Sequence, residues 1–409
     1  MDYFYWMAGT ILALAWFSRI VDAALGMPSV ANISTAEWDR NPVAPARNPR
    51  VSIIVPARNE EEDIEQCLTS LLALDYENYE VIAVDDRSSD RTGEIMESVS
   101  RNPHPFDSLG AGSLAKSARR VVGHPTVRVI HHRDLPSGWL GKTHAMWTAA
   151  NQADGDWLLF TDADVLFKPD SLRRALAYAE AQSADHVVLF PQMIMKTPGE
   201  HMMIAFFQTM FVFGHRPWKV ADPKSRDHMG VGAFNLIRRS AYEAVGTYRA
   251  LRMEVLDDMK LGKVVKNAGF AQRNVFGGDL ISLRWARGAG GVVNNLTKNF
   301  FAVLSFQWPR TLVAAFGLAF LNLMPFAGIG LVHGWERLPY AIALASMFAI
   351  YVGMSWRSGV PAYYFLLHPV STAMFVYTLL RSMAHTLWND GIVWRGTKYP
   401  LEELRKGMV

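Results

Sequence analysis

The apolar excess of this 409-residue chain sits at its two ends, and that asymmetry limits the fold more than any motif does. Tyr3–Leu25 is almost continuously apolar, broken by Arg19 and Asp22; Thr311–Val332, Leu338–Met354 and Val360–Leu380 follow in the last third. Each approaches the ~20 residues that cross a bilayer as a helix. The first run starts acidic, at Asp2, without the basic start and small-residue exit of a secretory signal, so it reads as an anchor rather than a cleaved peptide. Met202–Phe213 is apolar but too short to span, which assigns it to the interface or the core.

Arg40, Arg47, Arg50 and Arg58 follow the first span, and Arg287, Lys298 and Arg310 precede the second. Basic residues on that side put the middle of the chain in the cytoplasm, against what would be a bacterial inner membrane. Three C-terminal spans would carry the tail across. Arg395, Lys398, Arg405 and Lys406 in that tail favour the cytoplasmic side instead. The two readings conflict, and a re-entrant or interfacial C-terminal segment reconciles them. A net charge of +3 is too mild to argue for nucleic acid. The lone Cys67 forms no internal disulfide and falls in a helical pattern, where core packing is its expected role.

Between the apolar ends, short apolar strands alternate with helices. Val51–Val55, Tyr79–Val84, Val127–Ile130, Trp157–Phe160 and Val187–Phe190 read as strands. Glu60–Leu74, Ser89–Val99, Lys142–Ala153, Ser171–Gln182 and Met259–Asn267 read as helices. The alternation predicts an α/β domain with a mostly parallel sheet covered on both faces. A Gly-, Ser- and Pro-rich stretch between Arg101 and Pro125 reads as a surface loop.

Ligands of open α/β sheets bind beyond the carboxyl ends of the strands. Three acidic clusters stand in or near such places. Asp85-Asp86 closes the second strand; a carboxylate there accepts from a base N–H or a ribose hydroxyl, and the same residues also make a turn and a helix cap. Asp162-Ala163-Asp164 follows the strand WLLF; alternate carboxylates leaving a strand can share one Mg²⁺ or Mn²⁺ with substrate phosphates. Asp257-Asp258, preceded by Glu254, opens a helix. Acids there favour the helix dipole, and they also suit a general base for an alcohol attacking an anomeric carbon.

The succession VSIIVPARNEEEDI, EVIAVDDRSSDRT, GKTHAMWTAANQADGDWLLFTDADV, GVGAFNLIRRSAYEAVGTY and LDDMKLGKVVKNAGF, in this order over about Val51 to Trp285, resembles the family 2 glycosyltransferases of the GT-A fold. The flanking spans and the ending IVWRGTKY resemble its membrane branch, which glycosylates carotenoid, hopanoid-associated and ceramide lipids. The resemblance implies a nucleotide-sugar donor, a uridine nucleotide favoured, a lipid acceptor and a Mg²⁺ or Mn²⁺ cofactor. It implies that Pro56, Ala57, Glu60 and Asp86 line the nucleoside pocket with Asp85 beside it. Asp162 and Asp164 would hold the metal and diphosphate, and Lys142 would meet donor groups, although a solvated lysine at a helix start fits it as well. Asp258 would be the base, with Asp257 in the place of the family's Glu.

Processive relatives carry QxxRW. Here Arg284 and Trp285 match, while Ile281 replaces the Gln, which weakens the reading as a processive polysaccharide synthase. Arg284 could neutralise diphosphate and Trp285 flank the acceptor; an aromatic-packed arginine is the alternative. Gly288–Phe306 reads as an amphipathic interface helix, or as plain structural anchoring, and Trp394, Arg395 and Tyr399 would fold back toward the site if the tail is cytoplasmic. The expected division is an anchor at 1–26, a catalytic domain at 48–285, an interface helix at 286–310, spans at 311–382 and a basic tail at 383–409. A non-catalytic nucleotide-binding subunit is opposed by the retention of Asp86, Asp162, Asp164 and Asp258. A transporter is opposed by the shortage of spans and of acids inside them.

Overall fold

The computed structural model describes residues 2–42, 48–101 and 126–409. Arg47 and residues 102–125 of the Gly-, Ser- and Pro-rich stretch lie outside the described residues. The chain divides into two compact units. One comprises Ala31–Gln192, Val220–Leu283 and Gly407–Val409; the other comprises Met1–Val30, Met193–Lys219 and Arg284–Lys406.

The first unit is built on a seven-stranded sheet. Its strands are β1 (Val51–Ala57), β2 (Tyr79–Asp86), β3 (Val127–His132), β4 (Trp157–Phe160), β5 (His186–Phe190), β6 (Asn235–Arg238) and β7 (Gln272–Phe276). Their spatial order is β3-β2-β1-β4-β6-β5-β7. Only β6 runs against its neighbours β4 and β5; the other pairings are parallel. Every residue of β1 and β4 is buried, as expected of strands covered on both faces that are apolar but for Ser52, whose hydroxyl donates to Glu80. On one face, Ile54, Ile82, Leu158 and Phe160 pack on Ala145, Met146 and Ala149 of helix Gly141–Gln152 and on Leu261 and Val265 of helix Asp257–Asn267. Each large aliphatic side chain so buried contributes about 1.5–3 kcal/mol. This packing pins the two helices that carry Lys142 and Asp258 in their first turns.

The strands expected between Val51 and Phe190 all form, some one or two residues longer. The first helix starts at Ile64 rather than Glu60. The N–H groups of Asn59, Glu60 and Glu61 donate to the side chains of Ser88, Thr92 and Asp90, which ties the segment to the chain after β2, and the first helix-type bond runs from Ile64 N–H to Glu60 O. Strands β6 and β7 were not visible in the apolar pattern. The inward side chains of β7 are Gln272 and Asn274, both buried. Gln272 accepts from Met229 N–H, donates to Gly262 O and meets His186 Nδ1 at 2.8 Å, while His186 Nε2 lies 3.1 Å from Asn235 Oδ1. Burial pushes His186 down to about 4, so a neutral ring joins β5, β6 and β7.

In the second unit, among the described residues, four helices are long and apolar enough to cross a membrane: Tyr3–Ser29, Trp308–Leu331, Gly334–Ser358 and Ala362–Trp388. Leu12 and Trp16 of the first pack on Tyr340, Ala343 and Met347 of the third. Tyr340 Oη donates to Tyr5 O at 2.8 Å. The run at Met202–Phe213 extends to a helix over Pro198–Gly214, and its Met203 and Phe206 are core residues packed on Val292, Val293, Leu296 and Phe375. Gly288–Phe306 holds two helices, Gly288–Thr297 and Phe300–Val303; Val292, Val293, Leu296 and Phe301 are buried, while Val303 is 56% exposed. The tail forms a hairpin of Gly391–Trp394 with Thr397–Pro400 and a helix Leu401–Lys406, with the Lys298 ammonium 4.0 Å from the Trp394 ring centroid.

Candidate active site

The carboxyl ends of β1, β2 and β4 open on the same edge of the sheet, so the residues that leave them become neighbours although the chain separates them widely. Pro56 and Ala57 close β1 and are buried there. Beyond them Asn59 takes a left-handed backbone, φ 55°, and the loop is laced to Ser88–Thr92. Asp85 and Asp86 then diverge. Asp85 accepts from Ser88 N–H at 3.0 Å and meets His131 Nδ1 at 3.0 Å, which is a turn-holding arrangement. Asp86, 4% exposed, is clamped by Arg87, whose Nε and Nη2 donate to its two oxygens at 2.9 and 3.1 Å.

Gly141 stands against Asp86; a Cβ there would lie 2.0 Å from Asp86 Oδ2. The next residue, Lys142, reaches the other acids. Its Nζ lies 2.8 Å from Asp162 Oδ1 and 3.5 Å from Asp257 Oδ1. Burial disfavours the ammonium, but Asp162, Asp257 and Asp258 outweigh it and hold Lys142 above the ordinary lysine range. Lys142 is thus a bridging cation inside the acidic cluster and not a solvated helix-start lysine.

Gly232 joins the second and third acidic clusters. Its carbonyl accepts from Asp162 N–H at 3.1 Å, and its N–H donates to Asp258 Oδ2 at 2.8 Å. A Cβ on Gly232 would stand 2.4 Å from Asp162 Oδ2. Asp258 Oδ1 accepts from Met259 N–H at 2.7 Å. Burial raises the proton affinity of Asp258, the Lys142 charge opposes this, and the net direction is upward. A continuous path of contacts therefore runs from Asp86 through Gly141, Lys142, Asp162 and Gly232 to Asp258.

Asp164 sits among like charges. Removal from water, then the negative charges of Asp162 and Glu60, raise it to about 7. Hard carboxylate oxygens crowded in this way suit Mg²⁺ or Mn²⁺. Among the described residues no three His, Cys, Asp or Glu side chains converge on one metal-sized point. An ion held by Asp162 and Asp164 would complete its shell with phosphate and water, as Mg²⁺ commonly does. Cys67 is fully buried, with Sγ 3.7 Å from Asp162 O, and serves packing.

Arg284 and Trp285 belong to the second unit. Arg284 Nη2 donates at 2.7 Å to Glu200 Oε1, a fully buried carboxylate that also accepts from the N–H groups of Lys196 and Gly288. Trp285 packs on Phe207, with ring centroids 4.9 Å apart. Glu200 escaped the sequence reading because nothing local marks it. Gly141 and Gly232 escaped it because their importance lies in what approaches them.

Adding a methyl group at Gly232 should therefore damage the site and spare the core. Gly232→Ala is expected to lower turnover by about 10²-fold, the loss that a displacement of ~1 Å at reacting groups can produce. Circular dichroism should remain native. Wild-type turnover in Gly232→Ala would show that Asp162 and Asp258 are not held together through this residue.

Residues 52–246 match the family described as glycosyl transferase family 2. Two curated relatives are both named 4,4'-diaponeurosporenoate glycosyltransferase. That of Staphylococcus haemolyticus is 24% identical over 266 residues, which is 64% of this chain and 64% of the relative's own length. That of Staphylococcus aureus strain USA300 is 21% identical over 364 residues, 86% of this chain and 89% of the relative. Among solved structures, a mannosyltransferase from Pyrobaculum calidifontis in complex with GDP-Man and Mn²⁺ superimposes with a TM-score of 0.52 at 18% identity. The alignment covers 94% of this chain and 99% of that one, a likeness of fold.

Proposed function

We propose, for a chain that carries a family 2 glycosyltransferase domain of GT-A fold, an inverting transfer of one hexose from a nucleotide-sugar donor to a lipid acceptor at a bacterial cell membrane. The observation that carries this reading is the contact path that ties Asp86, Asp162 and Asp258 together through Gly141, Lys142 and Gly232. Asp86 with Pro56, Ala57 and Glu60 takes the nucleoside, and Asp85 holds the turn on which Asp86 stands. Asp162 and Asp164 hold the divalent cation, which when bound supplies Lewis-acid stabilisation of the departing diphosphate. Lys142 keeps Asp162 and Asp257 in place and balances their charge. Asp258 accepts the proton of the acceptor hydroxyl as that oxygen attacks the anomeric carbon from the face opposite the diphosphate. Arg284 is fixed by Glu200 and Trp285 packs on Phe207 within the second unit.

The names of the relatives support a carotenoid-type lipid as acceptor. The exposed faces of the apolar helices agree with a membrane setting: Phe17, Val313 and Phe316 are each more than half exposed. Ile281 in the place of the processive Gln favours a single addition over polymer synthesis. The chain end bears on topology. Val409 accepts from Lys260 and Lys263 of helix Asp257–Asn267, and its N–H donates to Glu254. A tail end on the same side as the catalytic domain requires an even number of C-terminal crossings, so we read one of the three apolar helices there as not traversing the bilayer.

The test is direct. The purified chain, given labelled UDP- and GDP-sugars with bacterial lipid extract, is expected to form a lipid carrying one sugar, and to do so only with Mn²⁺ or Mg²⁺. Ladders of product would favour the processive alternative, and an absence of product and of nucleotide binding would remove the reading.

A further inference from the structure

Helices Trp308–Leu331 and Arg337–Ser358 are joined through residues 332–336, so they run antiparallel and meet at a tip. Near that tip a Cβ on Gly328 would lie 2.3 Å from Tyr340 Cε1. The two are about 33–36 Å long at 1.5 Å per residue, enough for a ~30 Å hydrocarbon core. Helix His368–Trp388 qualifies as a third crossing by length and composition, yet it begins at neither end of the other two. His368 is fully buried, with Nδ1 3.0 Å from Tyr351 Oη and Nε2 2.9 Å from Asn322 Oδ1. Asn322 Nδ2 donates to Leu318 O at 2.8 Å, which leaves Oδ1 to accept from His368 Nε2. Along the helix axes Asn322 lies about 14 Å from the Leu331 end, and Tyr351 about 16 Å beyond Tyr340. The first turn of helix His368–Trp388 therefore sits near the middle of its two neighbours.

Contacts on both sides of His368 give the direction of travel. Before it, Phe365 packs on Phe326 and on Phe348, with ring centroids 5.4 Å apart in each pair. Both partners lie nearer the tip than Asn322 and Tyr351. After it, Phe375 packs with Leu318 and Phe300, and Ser382 Oγ accepts from Phe301 N–H and donates to Thr297 O. These partners lead back to the start of helix Trp308–Leu331 and past it. Residues 359–367 thus climb toward the tip, and helix His368–Trp388 descends again on the side they came from. Val360 and Tyr364 in the climbing segment are buried with Ala205 and Tyr351, the condition on which non-helical backbone is tolerated at membrane depth. Pro369 in the first turn removes one of the N–H groups that a helix start leaves unmet. Arg381, which donates to Asn294, lies about 20 Å along the helix from His368, beyond the ~15 Å half-thickness of the hydrocarbon.

We propose that residues 359–388 form a re-entrant element that enters and leaves the bilayer on the side where helix Trp308–Leu331 begins. Its apex near Phe365 is pinned at mid-depth by the bonds of His368 to Asn322 and Tyr351. The exposed side chains of Tyr363, Leu366 and Val370 face lipid tails. The basic tail emerges on the side it needs, where Arg405 donates to Phe306 O at 2.8 Å. The inference rests on the membrane setting proposed above and names the apolar helix that does not traverse.

Single cysteines in the full-length chain, labelled with a charged, membrane-impermeant maleimide in bacterial spheroplasts and in inverted membrane vesicles, test the path. The native Cys67 is fully buried and stays silent. Trp335→Cys, at the tip, is expected to label only from outside, and Arg357→Cys and Lys398→Cys only in inverted vesicles. Leu366→Cys should react from neither side, at least about 10-fold more slowly than Lys398→Cys, because a charged reagent does not enter hydrocarbon. Adding His368→Leu removes the pin and should raise labelling of Leu366→Cys by about 3-fold or more, the worth of one hydrogen bond. Arg357→Cys and Lys398→Cys labelling on opposite faces would make helix His368–Trp388 a full crossing and overturn the proposal. So would Trp335→Cys and Arg357→Cys labelling on one face, or Leu366→Cys reacting as fast as Lys398→Cys. No rise with His368→Leu would take the pin away from His368. Release of the protein from membranes by alkaline carbonate would instead remove the membrane setting itself, and sugar transfer by the same vesicles is read independently of both.

Discussion

Asp258→Asn should lower turnover by about 10²–10⁴-fold, the usual contribution of a positioned general base, with donor affinity little changed. The substitution is nearly isosteric, but Asp258 accepts from Gly232 N–H on one oxygen and from Met259 N–H on the other, and the single amide oxygen of Asn keeps one of the two. What disappears is the capacity to hold the proton of an attacking hydroxyl. Burial raises the proton affinity of Asp258, and the nearby Lys142 ammonium opposes that rise. Steady-state rates at saturating donor, with nucleotide affinity measured separately, distinguish a lost base from a lost pocket. The expected pattern is a fall in kcat with donor binding within a factor of a few. A near-wild-type rate would withdraw the base from Asp258. It would also point toward an acceptor that arrives ionised, because a carboxylate with a pKa near 4 needs no base at neutral pH.

Much of the fold could be read from the chain because the buried strands are pure in type. Trp157–Phe160 is four apolar residues, all buried, and its limits were as read. The reading failed where polar side chains face inward. The strand Gln272–Phe276 hides Gln272 and Asn274 in the core, where Met229, Gly262 and His186 satisfy Gln272, and a search for apolar periodicity passes over it. It failed again at Glu60–Asp63, four acids outside the apolar spacing that starts at Ile64, where the N–H groups of Glu60 and Glu61 are held by Thr92 and Asp90 and the helix begins only at Ile64. The acidic clusters were legible because strand ends are where such sheets bind ligands. Their mutual arrangement was not. It depends on Lys142 reaching across to Asp162 and Asp257 and on Gly232 admitting two carboxylates, contacts between segments tens of residues apart. Asp85 illustrates the ambiguity of composition alone: next to Asp86 in the chain, it is turned to Ser88 and His131 and holds a turn.

Asp164→Asn should separate function from stability. In the metal-free protein Asp164 sits partly out of water among the charges of Asp162 and Glu60, which is why its proton affinity climbs to about 7. An amide carries no charge to repel and needs no counter-ion, so the metal-free variant should melt at a higher temperature than wild type. Activity should move the other way. Lewis-acid stabilisation of a leaving diphosphate is worth several kcal/mol, and a loss of about 3 kcal/mol corresponds to about 10²-fold in rate. The gain in UDP or GDP affinity on adding Mn²⁺ should vanish with it, because an amide oxygen lacks the charge that a hard divalent cation prefers. Thermal melts and nucleotide titrations, each with Mn²⁺ and with chelator, give four readings on one variant. A site built around a cation predicts opposite signs for stability and for metal-dependent binding, as strained functional groups generally do. If Asp164→Asn melts lower without metal and binds nucleotide with an undiminished response to Mn²⁺, then Asp164 is a structural carboxylate and the cation is held elsewhere.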